Sequence, residues 1–440
     1  MAYTIIIGRD ESERKKFGEH GLVFLGKGYV KMGQTTSLSN TILLDVAKPH
    51  VILVSGKRGQ GKSTTIGVIA EEMSLLPEEI SQKLSILIFD TMGIFWTMKF
   101  PNLRDEKLLA EWGLKPKGLD VKVFTPEGFF QKYQREGIPT DIPFSLKVSE
   151  LSSADWLEVF GINPLDDLGI LIERVIAGVK ALYHDNYALE DILEFLKKDL
   201  ESDLHIRSAT ENLFLVARSW GLFSEKGTKI SDLMQGGKVS ILDVSCYSDV
   251  GGWGVKNLVI GLLSRKILDE RMLARKKEEL ESIEEGQSLF SESYHEEKPL
   301  VWIFLDEAHE TLPRKGKTAA TNALIKLLRE GRQPGISLVL ATQQPGEIHP
   351  DVMTQTDIVI SHNLTAKKDI DALNSMMQSY LTADIQKYFN QLPRLKGSAI
   401  LLDDNSERIY PLRVRPKLSW HGGESPSAVR TKKELLDFEL

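Results

Sequence analysis

Cysteine is nearly missing from this chain: Cys246 is the sole thiol, so no internal disulfide can form. Placed beside an apolar run, it reads as a small, partly buried side chain rather than a nucleophile. The nine histidines are scattered, and no Cys/His cluster has the spacing of a zinc site. Long apolar runs are lacking too. No stretch would cross a bilayer and no signal-like segment leads the chain, so no membrane partner and a cytoplasmic location are expected. Positive charge is not in excess. A formal net charge of −7 excludes a protein that coats nucleic acid with its whole surface and confines any such contact to a local basic lining. The rest of the composition, 42% hydrophobic and 27% charged over 440 residues, is that of a soluble globular protein of about two to three structural units.

What the chain does carry is Gly56-Lys57-Arg58-Gly59-Gln60-Gly61-Lys62-Ser63, a complete G-x-x-x-x-G-K-S loop directly behind the apolar run Val51 to Val54. Its glycines let successive backbone N–H groups turn inward around phosphates, Lys62 reaches the β and γ phosphates, and Ser63 offers a hydroxyl to Mg²⁺. From Thr64 to Met73 the chain continues as a helix whose N-terminal amides and dipole face the anion. ATP and Mg²⁺ are therefore the expected ligands.

Other apolar runs place this loop in a larger sheet. Residues 1–48 hold short runs (Tyr3 to Ile7, Leu22 to Leu25, Thr41 to Leu44) and read as a small β element. Within 49–150, Ser85 to Phe89 and Val121 to Phe124 read as strands. The period then changes, and over 151–232 Leu168, Leu171, Val175, Val179 and Leu182, then Leu189, Leu193, Leu196 and Leu200, then Leu213, Val216 and Trp220 recur at helical spacing. These stripes predict an inserted helical subdomain with packing roles only. Strands return over 233–423 at Val239 to Leu242, Leu300 to Leu305 and Ser337 to Ala341. A helix from about Trp253 to Lys277 leads into an acidic segment, about 278–298, read as a solvated insertion, and 424–440 reads as a tail. Continuous apolar strands alternating with helices predict an α/β fold with a mostly parallel sheet, a RecA-like P-loop core.

In such a sheet the ligand lies beyond the carboxyl ends of the strands, and polar residues stand at those ends here. Asp306 has the position of a metal-holding acid opposite Ser63, and Glu307 that of the base that polarises the attacking water. The alternative for this acid pair, a helix cap, is weakened by the upstream loop. Gln343 or Gln344 ends the next strand and could sense the γ phosphate, or form an ordinary polar turn before Pro345. Asp90 and, more weakly, Asp243 occupy the same kind of position. Between Asp306 and Gln343 lies a basic stretch: Arg314, Lys315 and Lys317 suit nucleic-acid phosphates, and Arg329 or Arg332 suits a neighbour's γ phosphate, unless the stretch is simply a solvated face.

The order of these motifs resembles the HerA family of hexameric DNA-translocating ATPases, in the wider group with FtsK and the conjugative coupling proteins. The resemblance rests on Gly56 to Ser63, Ile86 to Asp90, Val239 to Asp243, Phe304 to His309, Arg329 to Gly335, Ala341 to Pro345 and Val414 to Gly423. It implies that Lys62, Asp90, Glu307 and Arg332 serve as phosphate binder, site acid, catalytic base and trans-acting finger, with Arg329 as second choice for the finger. It also implies a homohexamer with DNA through its centre and a partner nuclease of the NurA type. Two departures stand out. The turn Asp90-Thr91-Met92-Gly93-Ile94-Phe95 lacks the family's usual glutamate, and the segment before Val51 is shorter than the family's N-terminal barrel.

Asp306 to His309 also spells a DEAH box, but it follows Lys62 at a separation far beyond the compact first domain of those helicases. A motor or switch acting on protein, or the ATPase subunit of an antiphage or mobile-element system, would carry the same nucleotide motifs.

Overall fold

The structure, a computed structural model, describes residues 3–32, 35–247, 254–287, 298–377 and 385–423. The tail 424–440 and residues 288–297 of the acidic segment fall outside the described residues. The strands are Thr4–Ile7 (β1), Leu22–Met32 (β2), Thr35–Asp45 (β3), Val51–Ser55 (β4), Leu84–Asp90 (β5), Val121–Pro126 (β6), Ile142–Phe144 (β7), Val239–Asp243 (β8), Leu300–Leu305 (β9), Ile336–Thr342 (β10), Ile358–His362 (β11), Ser398–Asp403 (β12) and Arg408–Val414 (β13). They form one 13-stranded sheet in the order β1-β3-β2-β13-β12-β11-β4-β10-β9-β5-β8-β6-β7.

From β11 to β7 every neighbouring pair in that order is parallel, as the continuous apolar runs predict. The antiparallel pairs β11 with β12, β12 with β13, and β13 with β2 carry the sheet on to the N-terminal strands. Successive side chains leave a strand on opposite faces, so both faces of the parallel block must be covered. Ile52 and Val54 of β4, with Trp302 and Phe304 of β9, enter one core with Ile66, Ile69 and Met73 of the helix Lys62–Ser74. Leu53, Ile303 and Leu305 enter the other, with Leu258, Leu262 and Leu324.

Between β7 and β8 stand the helices Ser153–Phe160, Asp167–Tyr183, Leu189–Lys198 and Leu204–Ser219. Ser152 caps the first in a capping box with Asp155, and Asp203 caps the last. Trp156 packs on Phe160 at 5.5 Å and on Phe214 at 5.1 Å between ring centroids. Three members of the expected stripes miss this core: Leu168 is only half-buried, Leu182 is 64% exposed, and Leu200, beyond the end of its helix at Lys198, is 86% exposed.

The helix after β8 is also longer than its periodicity suggests, running Val255–Gln287. Arg275 pairs with Glu278 and Glu279 along it, and buried Arg271 reaches Glu278 at 3.1 Å, so the first acidic residues extend the helix instead of ending it.

Candidate nucleotide-binding site

Ser55 ends β4, and the chain leaves the sheet into the loop Gly56 to Ser63 at the carboxyl edge of the parallel block. Gly59 (φ 76°) and Gly61 (φ 118°) take left-handed conformations that a side chain would strain, and the helix Lys62–Ser74 starts directly behind them. Lys57, Arg58 and Gly59 are exposed, Gln60 and Thr64 half-buried, and Lys62 only 6% exposed. A helix N-terminus without a side-chain cap leaves its amides open to an anion.

The loop rests on a residue that the motif does not contain. A Cβ on Gly56 would stand 2.6 Å from Cβ of His362, at the end of β11. His362 is fully buried, and burial pushes its imidazole down to about 4, so the ring is neutral. Its Nδ1 donates to the Ser398 carbonyl at 3.0 Å, which leaves Nε2 to accept from the Thr65 hydroxyl at 2.8 Å. The Lys57 N–H donates to the Asn363 carbonyl at 3.0 Å, tying the loop to the chain just after it. In the sequence His362 shows only as a histidine ending an apolar run, and nothing there places that run beside β4.

Asp306 follows β9, two strands from β4, and its Oδ2 accepts from the Ser63 hydroxyl at 2.7 Å. Two hard oxygen donors so close suit Mg²⁺ better than a softer metal. The chain then turns sharply. Glu307 adopts φ 49° and ψ 44°, a left-handed conformation uncommon for a residue with a side chain, before the short helix Ala308–Thr311. Its N–H donates to Asp306 Oδ1 at 2.9 Å, and its buried Oε2 has no hydrogen-bond partner among the described residues. Burial first, and the charge of Asp306 second, raise its proton affinity above the usual carboxylate range, against the opposing charge of Lys62.

His309 stands beside it, with Nδ1 3.6 Å from Glu307 Oε2 and 3.1 Å from the Thr342 hydroxyl. Burial lowers its pKa and favours the neutral ring. Gln343 is half-buried and its main-chain N–H acts on Glu307, whereas Gln344 is exposed and opens the turn Pro345–Glu347.

Lys62, Ser63, Asp306, Glu307 and Gln343 are thus brought together. Asp90 is engaged elsewhere: both its oxygens accept from its own turn, Oδ1 from the Met92 N–H at 3.2 Å and Oδ2 from the Phe95 N–H at 2.7 Å. Burial, and then the charge of Asp243 across the β5–β8 pair, push it up to about 7. Cys246, just past β8, is half-buried, and burial pushes its thiol up.

Arg314, Lys315 and Lys317 form an exposed loop at the same edge. Arg314 Nη1 donates to the Gly346 carbonyl at 3.1 Å and its N–H to the Glu347 carbonyl at 2.7 Å, so this loop and the one after Pro345 form one unit. Arg329 and Arg332 lie apart from the phosphate loop. Arg329 pairs with Asp351 at 2.7 Å and Arg332 with Asp357 at 3.3 Å. Asp357 accepts from the Val51 N–H at 2.8 Å, where β4 begins, so β4 separates Arg332 from the loop of its own chain by about 16 Å at ~3.3 Å per residue.

Residues 30–267 match a family model described as the central domain of the helicase HerA. A probable helicase of Methanocaldococcus jannaschii is 27% identical over 433 residues, covering 94% of this chain and 72% of that protein. A probable DNA double-strand break repair helicase HerA of the same organism is 28% identical over 145 residues, 30% of this chain and 27% of its own length. The chain therefore spans about a quarter of that relative. Among solved structures, VirB4 of Thermoanaerobacter pseudethanolicus aligns with a TM-score of 0.55 at 11% identity, covering 89% of this chain and 96% of that one, a likeness of fold. With the family model matching more than half of its length around this phosphate loop, the chain belongs to the HerA helicase central-domain family of RecA-like P-loop ATPases.

Proposed function

We propose that this protein hydrolyses ATP and spends the energy moving DNA, as a homohexamer with DNA in a central channel, in DNA end processing, repair or defence beside a nuclease of the NurA type. The observation that carries hydrolysis is Glu307, a half-buried carboxylate whose buried Oε2 has no hydrogen-bond partner among the described residues, next to the Ser63–Asp306 pair.

The backbone of Gly56 to Thr64 and the Lys62 ammonium bind the phosphates. Ser63 and Asp306 would hold Mg²⁺, which supplies positive charge against the β and γ phosphates. Glu307 Oε2 orients the attacking water and takes its proton, and the raised proton affinity makes it a better base than an exposed carboxylate. Neutral His309 fills the space behind that oxygen, and Gln343 reaches the γ phosphate or the water.

The position of Arg332 supports the ring. An arginine at the opposite sheet edge cannot serve its own site but can stabilise transition-state charge in a neighbour's. The coupled loops at Arg314 to Lys317 and after Pro345 meet the DNA backbone, which places a local basic lining on an acidic protein. The likeness to a probable DNA double-strand break repair helicase HerA of Methanocaldococcus jannaschii supports DNA as the polymer.

The test is ATP turnover at low salt with and without single- or double-stranded DNA. Stimulation by DNA is expected. Turnover that DNA leaves unchanged would remove the translocase reading and favour a motor or switch acting on protein.

A further inference from the structure

His50 stands just before β4 and is buried, with a carboxylate on either side of its ring. Its Nδ1 lies 2.7 Å from Asp357 Oδ2 and its Nε2 3.6 Å from Asp45 Oδ2. Carboxylate oxygens only accept, so a ring that faces one at each nitrogen is best satisfied as the imidazolium, which donates from both. Burial opposes that charge, but Asp357 and Asp45 outweigh it and raise the ring's affinity for its proton. Asp403, at the end of β12, also feels the charge of the ring. Gly8 packs against it from the other side: a Cβ there would stand 2.9 Å from His50 Cε1.

Beyond Asp45 stands Arg9, also buried and 2.9 Å away. Arg9, Asp45, His50, Asp357 and Arg332 therefore make a row of alternating charge that runs from the N-terminal strands to the exposed arginine.

Asp357 is the junction of this row. Its Oδ1 accepts from the Val51 N–H at 2.8 Å, and its Oδ2 is shared, 2.7 Å from His50 Nδ1 and 3.3 Å from Arg332 Nη2. The shorter contact goes to the buried partner, which leaves the arginine the weaker hold on that oxygen. An ion pair open to solvent contributes little by itself, so the direction of Arg332 depends on how firmly its carboxylate is fixed. Without the imidazolium, Asp357 could turn and would present its full charge to Arg332, clamping it to its own protomer.

We infer that His50 is a positioning residue for Arg332: it fixes the Asp357 carboxylate and takes up part of its charge, so that the arginine is aimed outward yet able to reach a neighbour's γ phosphate. The inference rests on the reading of Arg332 as the trans-acting finger and adds to it the residues that hold the finger ready.

Steady-state ATP turnover over a double-mutant cycle tests it. His50→Gln keeps a donor and removes the charge; it should lower kcat about tenfold with KM for ATP unchanged, and should lower kcat no further in the Arg332→Ala background, because its effect passes through that arginine. Asp45→Asn, which frees the far side of the ring, should show the same pattern, and it answers the question should His50→Gln fold poorly. Losses that multiply in the double variant would overturn the inference. So would a kcat that neither substitution changes beside a large loss from Arg332→Ala, and both results would leave the finger standing. An unaltered kcat in Arg332→Ala itself would overturn the finger reading, and this inference with it.

Discussion

Arg332 and Asp357 meet 3.3 Å apart at the edge of the sheet where β4 begins, the end farthest from Ser63. Asp357 is fixed by the Val51 N–H and by His50, whose Nδ1 lies 2.7 Å from Oδ2; His50 in turn faces Asp45, which pairs with Arg9 at 2.9 Å. The guanidinium of Arg332 is therefore held at Nη2 by a carboxylate that belongs to a buried network, while 64% of the side chain stays exposed. Arg332→Ala should leave ATP affinity unchanged and lower kcat at least ~100-fold, since trans arginines contribute on the order of 10³–10⁵. A larger loss from Arg329→Ala in the same turnover assay would move the finger to Arg329.

Glu307→Gln keeps the shape of the turn and removes the proton acceptor. Turnover should fall about 10²-fold or more while ATP binding persists, because general bases contribute ~10²–10⁴. Normal single-turnover hydrolysis in this variant would take the base away from Glu307.

Asp90 makes stability depend on pH. Its ordinary value is 3.8 and its folded value about 7, so the folded state holds a proton that the unfolded state has lost. The stabilisation is complete below about pH 4 and is lost as pH rises through 7, with a slope on the order of 1 kcal/mol per pH unit. Asp90→Asn should flatten thermal stability over that window. A slope that survives the substitution would assign the proton to Asp243, which burial also raises.

Arg415 holds the segment after β13 against the phosphate-loop helix through Glu71 and Glu72. Glu71 also accepts from the Leu418 N–H at 3.0 Å and the Ser419 N–H at 2.8 Å. Arg415→Met would strand buried carboxylates, and a loss of about 3–5 kcal/mol in denaturant unfolding is expected. A loss under ~1 kcal/mol would mean that these carboxylates are satisfied without the arginine.

The parts of this site that were legible in the sequence are local. Gly56 to Ser63, and Asp306 with Glu307, carry their chemistry within a few residues of a strand end, and period and motif suffice to place them. His362, Arg415 and Glu71 were not legible, because their partners are remote in the chain: Glu71 meets Leu418 across 347 residues, and Thr65 meets His362 across 297. The strands β11 and β12 are apolar runs like the others, but nothing in their composition states that they sit beside β4. Leu182 and Leu200 show the converse, helical spacing continued by residues that face solvent.

The central claim is that the nucleotide site is completed by the adjoining protomer, and mixing two inactive variants tests it most directly. Glu307→Gln supplies Arg332 and no base; Arg332→Ala supplies Glu307 and no finger. If the site is shared, mixed assemblies contain interfaces with both groups intact, and ATP turnover should rise well above that of either variant alone. Turnover that stays at the level of the separate variants, with mixed assembly verified by native mass, would contradict the account.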